Sequence, residues 1–355
     1  LTFHQEYSVP LPLSINMKVA RHYMQKAWRN RNSDVLKNEA GQQLIPLVLM
    51  LELTHACNLK CRGCGRIREF ADTQKERLSR EQARQAMLEA DTPVVTVSGG
   101  EPLLHPQVAD IVADALGMGK VVYLCTNALL LSKRLEEFKP HALFFFNVHI
   151  DGPPEIHDAL TGLPGTTERA LEAIGQARQA GYNVTTNTTV YKGTPPGAIA
   201  SLFERLTGMG VRGLMIAPAF AYEVGTDAET FTRSEAHDWF KQLHKFWGDR
   251  NMIHTPLYME FLRGERRLDC MPWGTVTRSP MGWKSPCYLL TDNHLVTFRE
   301  LMETTQWDRY GPDREPRCAD CLLHSGFEPS VVNSIRGLKD GWQSLLNLAR
   351  WQMGG

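Results

Sequence analysis

Apolar residues recur at helical spacing near the start of the chain. Ile15, Met17, Ala20, Tyr23, Met24, Ala27 and Trp28 punctuate residues 14–30, with Lys18, Arg21, Lys26 and Arg29 spread between them. The spacing predicts a basic amphipathic helix. A polar break over 29–41 separates it from 46–53, an apolar run that reads as a buried strand and ends at the first cysteines. Strand and helix patterns then alternate. Strand-like 94–97 leads into Ser98-Gly99-Gly100, and further strands at 120–125, 143–150, 183–190 and 211–217 alternate with helical patterns near 106–117, 131–138, 166–180 and 196–208.

Repeated strand–helix units with apolar strands imply an α/β fold, a parallel sheet covered by helices. Six such strands make an open or incomplete barrel. Special residues gather where the strands end: Cys57, then Gly99, Gly100 and Glu101, then Cys125 with Asn127, His149 with Asp151, and Asn187 with Thr188. The C-terminal strand edge of a barrel is where ligands and chemistry sit, so these residues are read as one site. The plainer reading, polar residues marking where strands leave the core, is the weaker one because the same edge receives a three-cysteine loop. After residue 230 the alternation stops. Residues 231–330, rich in Trp, Pro, Gly and Cys, read as a second domain after a barrel at 43–230 and an N-terminal segment at 1–42. Within 331–355, Trp342, Leu345, Leu346, Leu348 and Ala349 predict a short docking helix.

The length of 355 residues allows a large core. Thirty-nine basic residues balance thirty-nine acidic ones, so no global positive field exists to hold a nucleic acid. Neither a leader pattern near the start nor an apolar run approaching about 18 residues is evident, and the expected location is the cytoplasm.

The eight cysteines change the picture most. Three fall at 57, 61 and 64, one at 125, and four at 270, 287, 318 and 321. Such clustering favours metal sites over a disulfide framework. Cys57-Asn-Leu-Lys-Cys61-Arg-Gly-Cys64 supplies three thiolates within one short loop. A four-iron cubane held this way keeps one iron open; zinc, with His55 as fourth ligand, is the alternative on spacing alone.

The Cys-x3-Cys-x2-Cys loop after the first strand, with Gly99-Gly100-Glu101-Pro102 after the second, resembles the radical S-adenosylmethionine superfamily. The resemblance implies an incomplete six-unit TIM-like barrel. In it Cys57, Cys61 and Cys64 bind a [4Fe–4S] cluster whose open iron chelates S-adenosyl-L-methionine, and one electron releases a 5'-deoxyadenosyl radical. It further implies that the Gly-Gly-Glu-Pro backbone approaches the methionyl amine, with Glu101 or neighbouring carbonyls accepting from it. Asn127, His149, Asp151, Asn187 and Thr188 complete the expected cofactor-binding set. Many members carry an aromatic residue just before the third cysteine, where this sequence has Gly63.

The stretches LMLELTHACNLKCRGCGRI, TVSGGEPLLHP, VVYLCTNALLL, VHIDG with His157-Asp158, TTNTT, CMPWG, WKSPCYLL, FRELMETTQWDRYG and CADC resemble the adenosylhopene synthase family of hopanoid biosynthesis over roughly residues 10–330. That family joins the 5'-deoxyadenosyl radical to the terminal alkene of diploptene, giving adenosylhopane. The resemblance implies a hydrophobic triterpene substrate, a reductant such as flavodoxin or ferredoxin, and Cys125 as hydrogen-atom donor; a small thiol packed as a hydrophobe is the alternative. For a greasy substrate, the basic helix at 14–30 either rests peripherally on the inner face of a membrane or caps the barrel. Residues 219–222, with Trp239, Phe240 and Phe246, are candidate apolar walls or plain core. Cys270, Cys287, Cys318 and Cys321 supply the ligand count of a second metal site: another [4Fe–4S] cluster, zinc, or else free buried thiols. Related hopanoid enzymes carry a further cysteine where this chain has Leu323-His324-Ser325, which makes His324 a candidate ligand.

Overall fold

The computed structural model describes residues 13–29, 37–39, 41–223 and 228–334. The docking helix expected at 341–351 lies outside them. The helices are α1 (Leu13–Arg29), α2 (Gly65–Glu69), α3 (Arg80–Ala90), α4 (Val108–Gly117), α5 (Leu131–Arg134), α6 (Pro154–Thr161), α7 (Thr166–Gln179), α8 (Pro196–Gly208), α9 (Arg233–Trp247), α10 (Pro256–Leu262), α11 (Phe298–Thr304) and α12 (His324–Ser334). The strands are β1 (Val48–Glu52), β2 (Val94–Ser98), β3 (Val121–Thr126), β4 (Phe144–His149), β5 (Asn183–Val190), β6 (Leu214–Pro218), β7 (Thr275–Ser279), β8 (Gly282–Ser285) and β9 (Asn293–Leu295).

Strand alternation builds the barrel wall. Leu49, Leu51, Val95, Val97, Leu124, Phe146, Val184 and Ile216 are fully buried in the main core, while the residues between them occupy the opposite face. On that opposite face Asn147 Nδ2 lies 3.5 Å from Cys125 Sγ and 3.7 Å from Met215 Sδ. Because β4 and β6 are not neighbours, the contact from Asn147 to Met215 shows the sheet curling toward a barrel. Strand order is β6-β5-β4-β3-β2-β1-β7-β8-β9, with β1 to β7 parallel and β8 and β9 added antiparallel. The fold is therefore the expected incomplete α/β barrel with a cysteine-containing C-terminal extension. The sheet has nine strands, however, and β7 pairs beside β1 in the register Val48↔Thr275. One sheet thus runs through both the barrel and the segment after residue 230.

Local chemistry sets several boundaries. Ser79 and Gln82 form a capping box at the start of α3, and Thr232 with Glu235 forms one at α9. Helix α1 packs Ile15 against Val121 and Phe145, and Tyr23 and Ala27 against Ile45 and Leu47. Two of its cations are engaged by the body: Lys26 pairs with Asp91 at 2.7 Å, and Lys18 donates to the Gly119 carbonyl. Since Asp91 and Gly119 precede β2 and β3, α1 caps the N-terminal end of the barrel, opposite the cysteine loop. Among the described residues no helix is long and apolar enough to cross a membrane.

Candidate active site

Strand β1 delivers the chain to the cysteine loop, and the next strands place their ends around it. Cys57, Cys61 and Cys64 line one cavity with Gly99, Gly100, Cys125, Asn127, His149, Asp151 and Asn187. All eight cysteines are free. The Leu59 N–H donates to Cys57 Sγ at 3.4 Å, and Asn127 Nδ2 lies 3.9 Å from the same sulfur. Burial pushes the Cys57 thiol up to about 11 and Cys61 up to about 12, with the neighbouring thiols adding to both shifts. Loading a metal centre here therefore releases protons.

The donor set fits a four-iron cluster with an open iron better than zinc. His55 does not join the thiols: its ring stacks on Phe70 with centroids 4.0 Å apart, and Nδ1 meets the Thr73 hydroxyl at 2.8 Å. Three thiolates without that fourth protein ligand leave a zinc tetrahedron incomplete, whereas a cubane held by three cysteines keeps one iron open.

The glycines have a backbone reason. Gly99 has φ +134°, and a Cβ on it would lie 2.4 Å from the Thr54 carbonyl oxygen; on Gly100 it would lie 2.2 Å from that of Ala56. The loop after β2 is thereby laid against the entry to the cysteine loop, where the N–H groups of Gly100 and Glu101 donate to Thr54 and Ala56 at 2.8 Å each. Glu101 itself turns away from the cavity. Its carboxylate accepts from the N–H of Leu103 at 2.9 Å, the Thr126 hydroxyl at 2.8 Å and the N–H of Asn127 at 2.8 Å. Burial still pushes its pKa up to about 7 against those bonds. The expected direct contact from the Glu101 side chain to the methionyl amine is corrected accordingly: this carboxylate ties the β2 loop to the end of β3 and so positions Asn127.

His149 Nε2 lies 2.9 Å from Asp151 Oδ1, and the Thr189 N–H donates to that oxygen at 2.7 Å. Burial opposes both charges, but the mutual attraction outweighs it, leaving His149 raised and Asp151 lowered from their ordinary values. Asn187 Nδ2 reaches His149 Nδ1 at 3.3 Å. Thr188, expected at the cofactor, instead donates to the Ile150 carbonyl at 2.8 Å and is fully buried. Strand alternation explains the correction: Asn187 and Thr189 face the cavity, so Thr188 between them cannot.

Cys125 lines the cavity, and its neighbour Asn147 is held by a 3.1 Å hydrogen bond from Thr185 to its carbonyl. Burial pushes the Cys125 thiol up to about 11, so it keeps its S–H at neutral pH. Sequence reasoning missed Asn147, although it sits two residues from His149 on the same face. It also missed Tyr191, which together with Tyr222 of the expected 219–222 wall fills the space left by two glycines: a Cβ on Gly63 would lie 2.7 Å from the Tyr191 ring, and one on Gly65 2.3 Å from the Tyr222 ring. Beneath the loop, Lys284 of β8 reaches Glu52 at the end of β1 at 2.9 Å, a buried ion pair joining the extension to the barrel. The other four cysteines line a separate cavity, and His324 faces the active-site cavity rather than theirs.

Comparison with known proteins agrees with this geometry. The C-terminal region, residues 214–344, matches a domain of unknown function (DUF3463). An AdoMet-dependent heme synthase of Oleidesulfovibrio alaskensis is 26% identical over 204 residues, covering 55% of this chain and 52% of that protein. Another, from Methanosarcina barkeri, is 34% identical over 152 residues, covering 41% and 43%. The chain thus spans about half or less of the length of these relatives. The Streptococcus suis SuiB structure bound to precursor peptide SuiA shares the fold with TM-score 0.63 at 12% identity, covering 91% of this chain and 86% of that one. Residues 51–206, which carry the three-cysteine loop, the Gly-Gly-Glu turn and the ends of β2 to β5, match the radical SAM superfamily model, and this region is a radical SAM domain.

Proposed function

We propose that the chain is an S-adenosylmethionine-dependent radical enzyme that adds an adenosyl group to the terminal alkene of a pentacyclic triterpene, diploptene, giving adenosylhopane. The observation that carries the reading is the meeting of Cys57, Cys61 and Cys64 with a protonated Cys125 in one cavity. A [4Fe–4S] cluster on the three thiolates, with S-adenosylmethionine on its open iron, would supply a 5'-deoxyadenosyl radical there. Gly99, Gly100 and Asn127 stand where they can receive the cosubstrate, and the His149–Asp151 pair offers it a fixed donor and acceptor. Leu59, Leu160, Pro218, Phe220, Leu289 and Leu323 give the same cavity an apolar wall suited to a substrate without polar groups.

Addition forms a bond from the 5' carbon to the alkene methylene and leaves a tertiary radical on the triterpene. Cys125 then gives its S–H hydrogen atom to that carbon. The resulting thiyl returns to the thiol with one electron and one proton, the electron coming from a carrier such as flavodoxin or ferredoxin. Asn147 holds the sulfur while leaving its hydrogen free to face the substrate.

A second reading, hydrogen abstraction from another substrate, draws support from relatives named as heme synthases, none of which points to a triterpene. Incubation of the reduced, iron-loaded enzyme with S-adenosylmethionine and diploptene separates the two. Adenosylhopane should accumulate; free 5'-deoxyadenosine without it defeats the addition.

A further inference from the structure

The mechanism leaves four cysteines unused. Cys270, Cys287, Cys318 and Cys321 come from separate stretches of the extension yet line a single cavity. Their convergence is built by the backbone. The Met271 N–H donates to the Gly326 carbonyl at 2.7 Å, which holds the loop carrying Cys270 against α12. The Arg233 guanidinium donates to the carbonyls of Ala319 at 3.0 Å and Cys321 at 2.7 Å, which fixes the Cys-x2-Cys turn. Gly326 leaves the room that Cys270 needs, since a Cβ there would lie 2.9 Å from its sulfur.

Burial raises the thiols of Cys287, Cys318 and Cys321, and nearby peptide N–H groups, of Leu289 and Leu290, Gly311 and Leu323 respectively, oppose that rise. Donors of this kind stabilise thiolates, whereas thiols packed only as hydrophobes have no use for them. Ser325, at the position of the lost cysteine, lines this cavity, whereas His324 does not.

We propose that these four thiolates hold a second [4Fe–4S] cluster. Four cysteines on one cavity supply one thiolate for each iron of a cubane. With four protein ligands the cluster has no open iron, so it exchanges electrons rather than binding substrate. Phe220, Tyr288, Leu289 and Leu323 line both this cavity and the active-site cavity, placing the cluster one layer of side chains from the radical chemistry.

The test is iron and sulfide quantification with Mössbauer spectroscopy on the anaerobically purified full chain. The native protein should carry about eight irons, and the Cys57/Cys61/Cys64→Ala variant about four, still as a [4Fe–4S] cluster. A folded triple variant holding no iron, or zinc alone, overturns the proposal. Should that variant not fold, Cys318→Ser with Cys321→Ser in the otherwise native chain should lower iron from about eight to about four; unchanged iron overturns it equally. Iron retained by the triple variant stands whether or not the native enzyme makes adenosylhopane, so this result is separate from the fate of the proposed reaction.

Discussion

Replacing Glu101 tests whether its carboxylate is a brace rather than a ligand. The side chain is fully buried and satisfies three donors: two backbone N–H groups, of Leu103 and Asn127, and the Thr126 hydroxyl. Glu101→Ala strands all three, and at about 1–3 kcal/mol per unsatisfied buried donor the loss should reach about 3–9 kcal/mol. Glu101→Gln retains an oxygen for Leu103 and Thr126 but faces the Asn127 N–H with its own amide, a loss of about 1–3 kcal/mol. A pH dependence distinguishes the charge from the shape. With the folded pKa pushed up to about 7 from an ordinary 4.5, the folded state binds the extra proton, and native stability falls as pH rises between those values. Since the Gln variant lacks that titration, its deficit should shrink by about 1–3 kcal/mol between pH 5 and about pH 7.5. Urea denaturation of the native chain and both variants at those pH values measures this. A constant deficit across the range, or an Ala variant no worse than Gln, refutes the reasoning.

Cys125→Ala should preserve iron content and 5'-deoxyadenosyl chemistry while losing correctly reduced adenosylhopane by at least about tenfold, read by mass spectrometry of the products. Gly100→Ala drives a Cβ to 2.2 Å from the Ala56 carbonyl, so iron loading and thermal stability should both fall, checked by iron assay and calorimetry. The His149–Asp151 pair should contribute most between about pH 4 and 6.5. His149, raised, loses its contribution as pH rises through its folded value, and Asp151, lowered, loses its own as pH falls through its folded value. Asp151→Asn should therefore cost more stability at pH 5.5 than at pH 8.5 in denaturation experiments.

Much of this architecture was legible because its signals are local. Six apolar strands alternate with amphipathic helices, and the cysteine loop and Gly-Gly-Glu turn sit at strand ends. β7 was not legible: Thr275–Ser279 alternates no more clearly than a loop, and it is a strand through its pairing with β8 and with β1, the latter more than 200 residues away. Faces were harder than elements. Thr188 and Thr189 are identical in type, and only the register of β5 decides that the second faces the cavity. Glu101 reads as a ligand beside two glycines, yet the donors that claim it lie on β3 and its exit, 25 and 26 residues on. The convergence of Cys270 and Cys287 with Cys318 and Cys321 is likewise a tertiary fact, since long loops separate them in sequence.

The account rests on Cys57, Cys61 and Cys64 holding the centre that cleaves S-adenosylmethionine. Quantifying 5'-deoxyadenosine and methionine from the dithionite-reduced, anaerobic enzyme with S-adenosylmethionine tests this directly. The native chain should release both in equal amounts and each single Cys→Ala variant neither. Undiminished cleavage in all three variants would contradict the account.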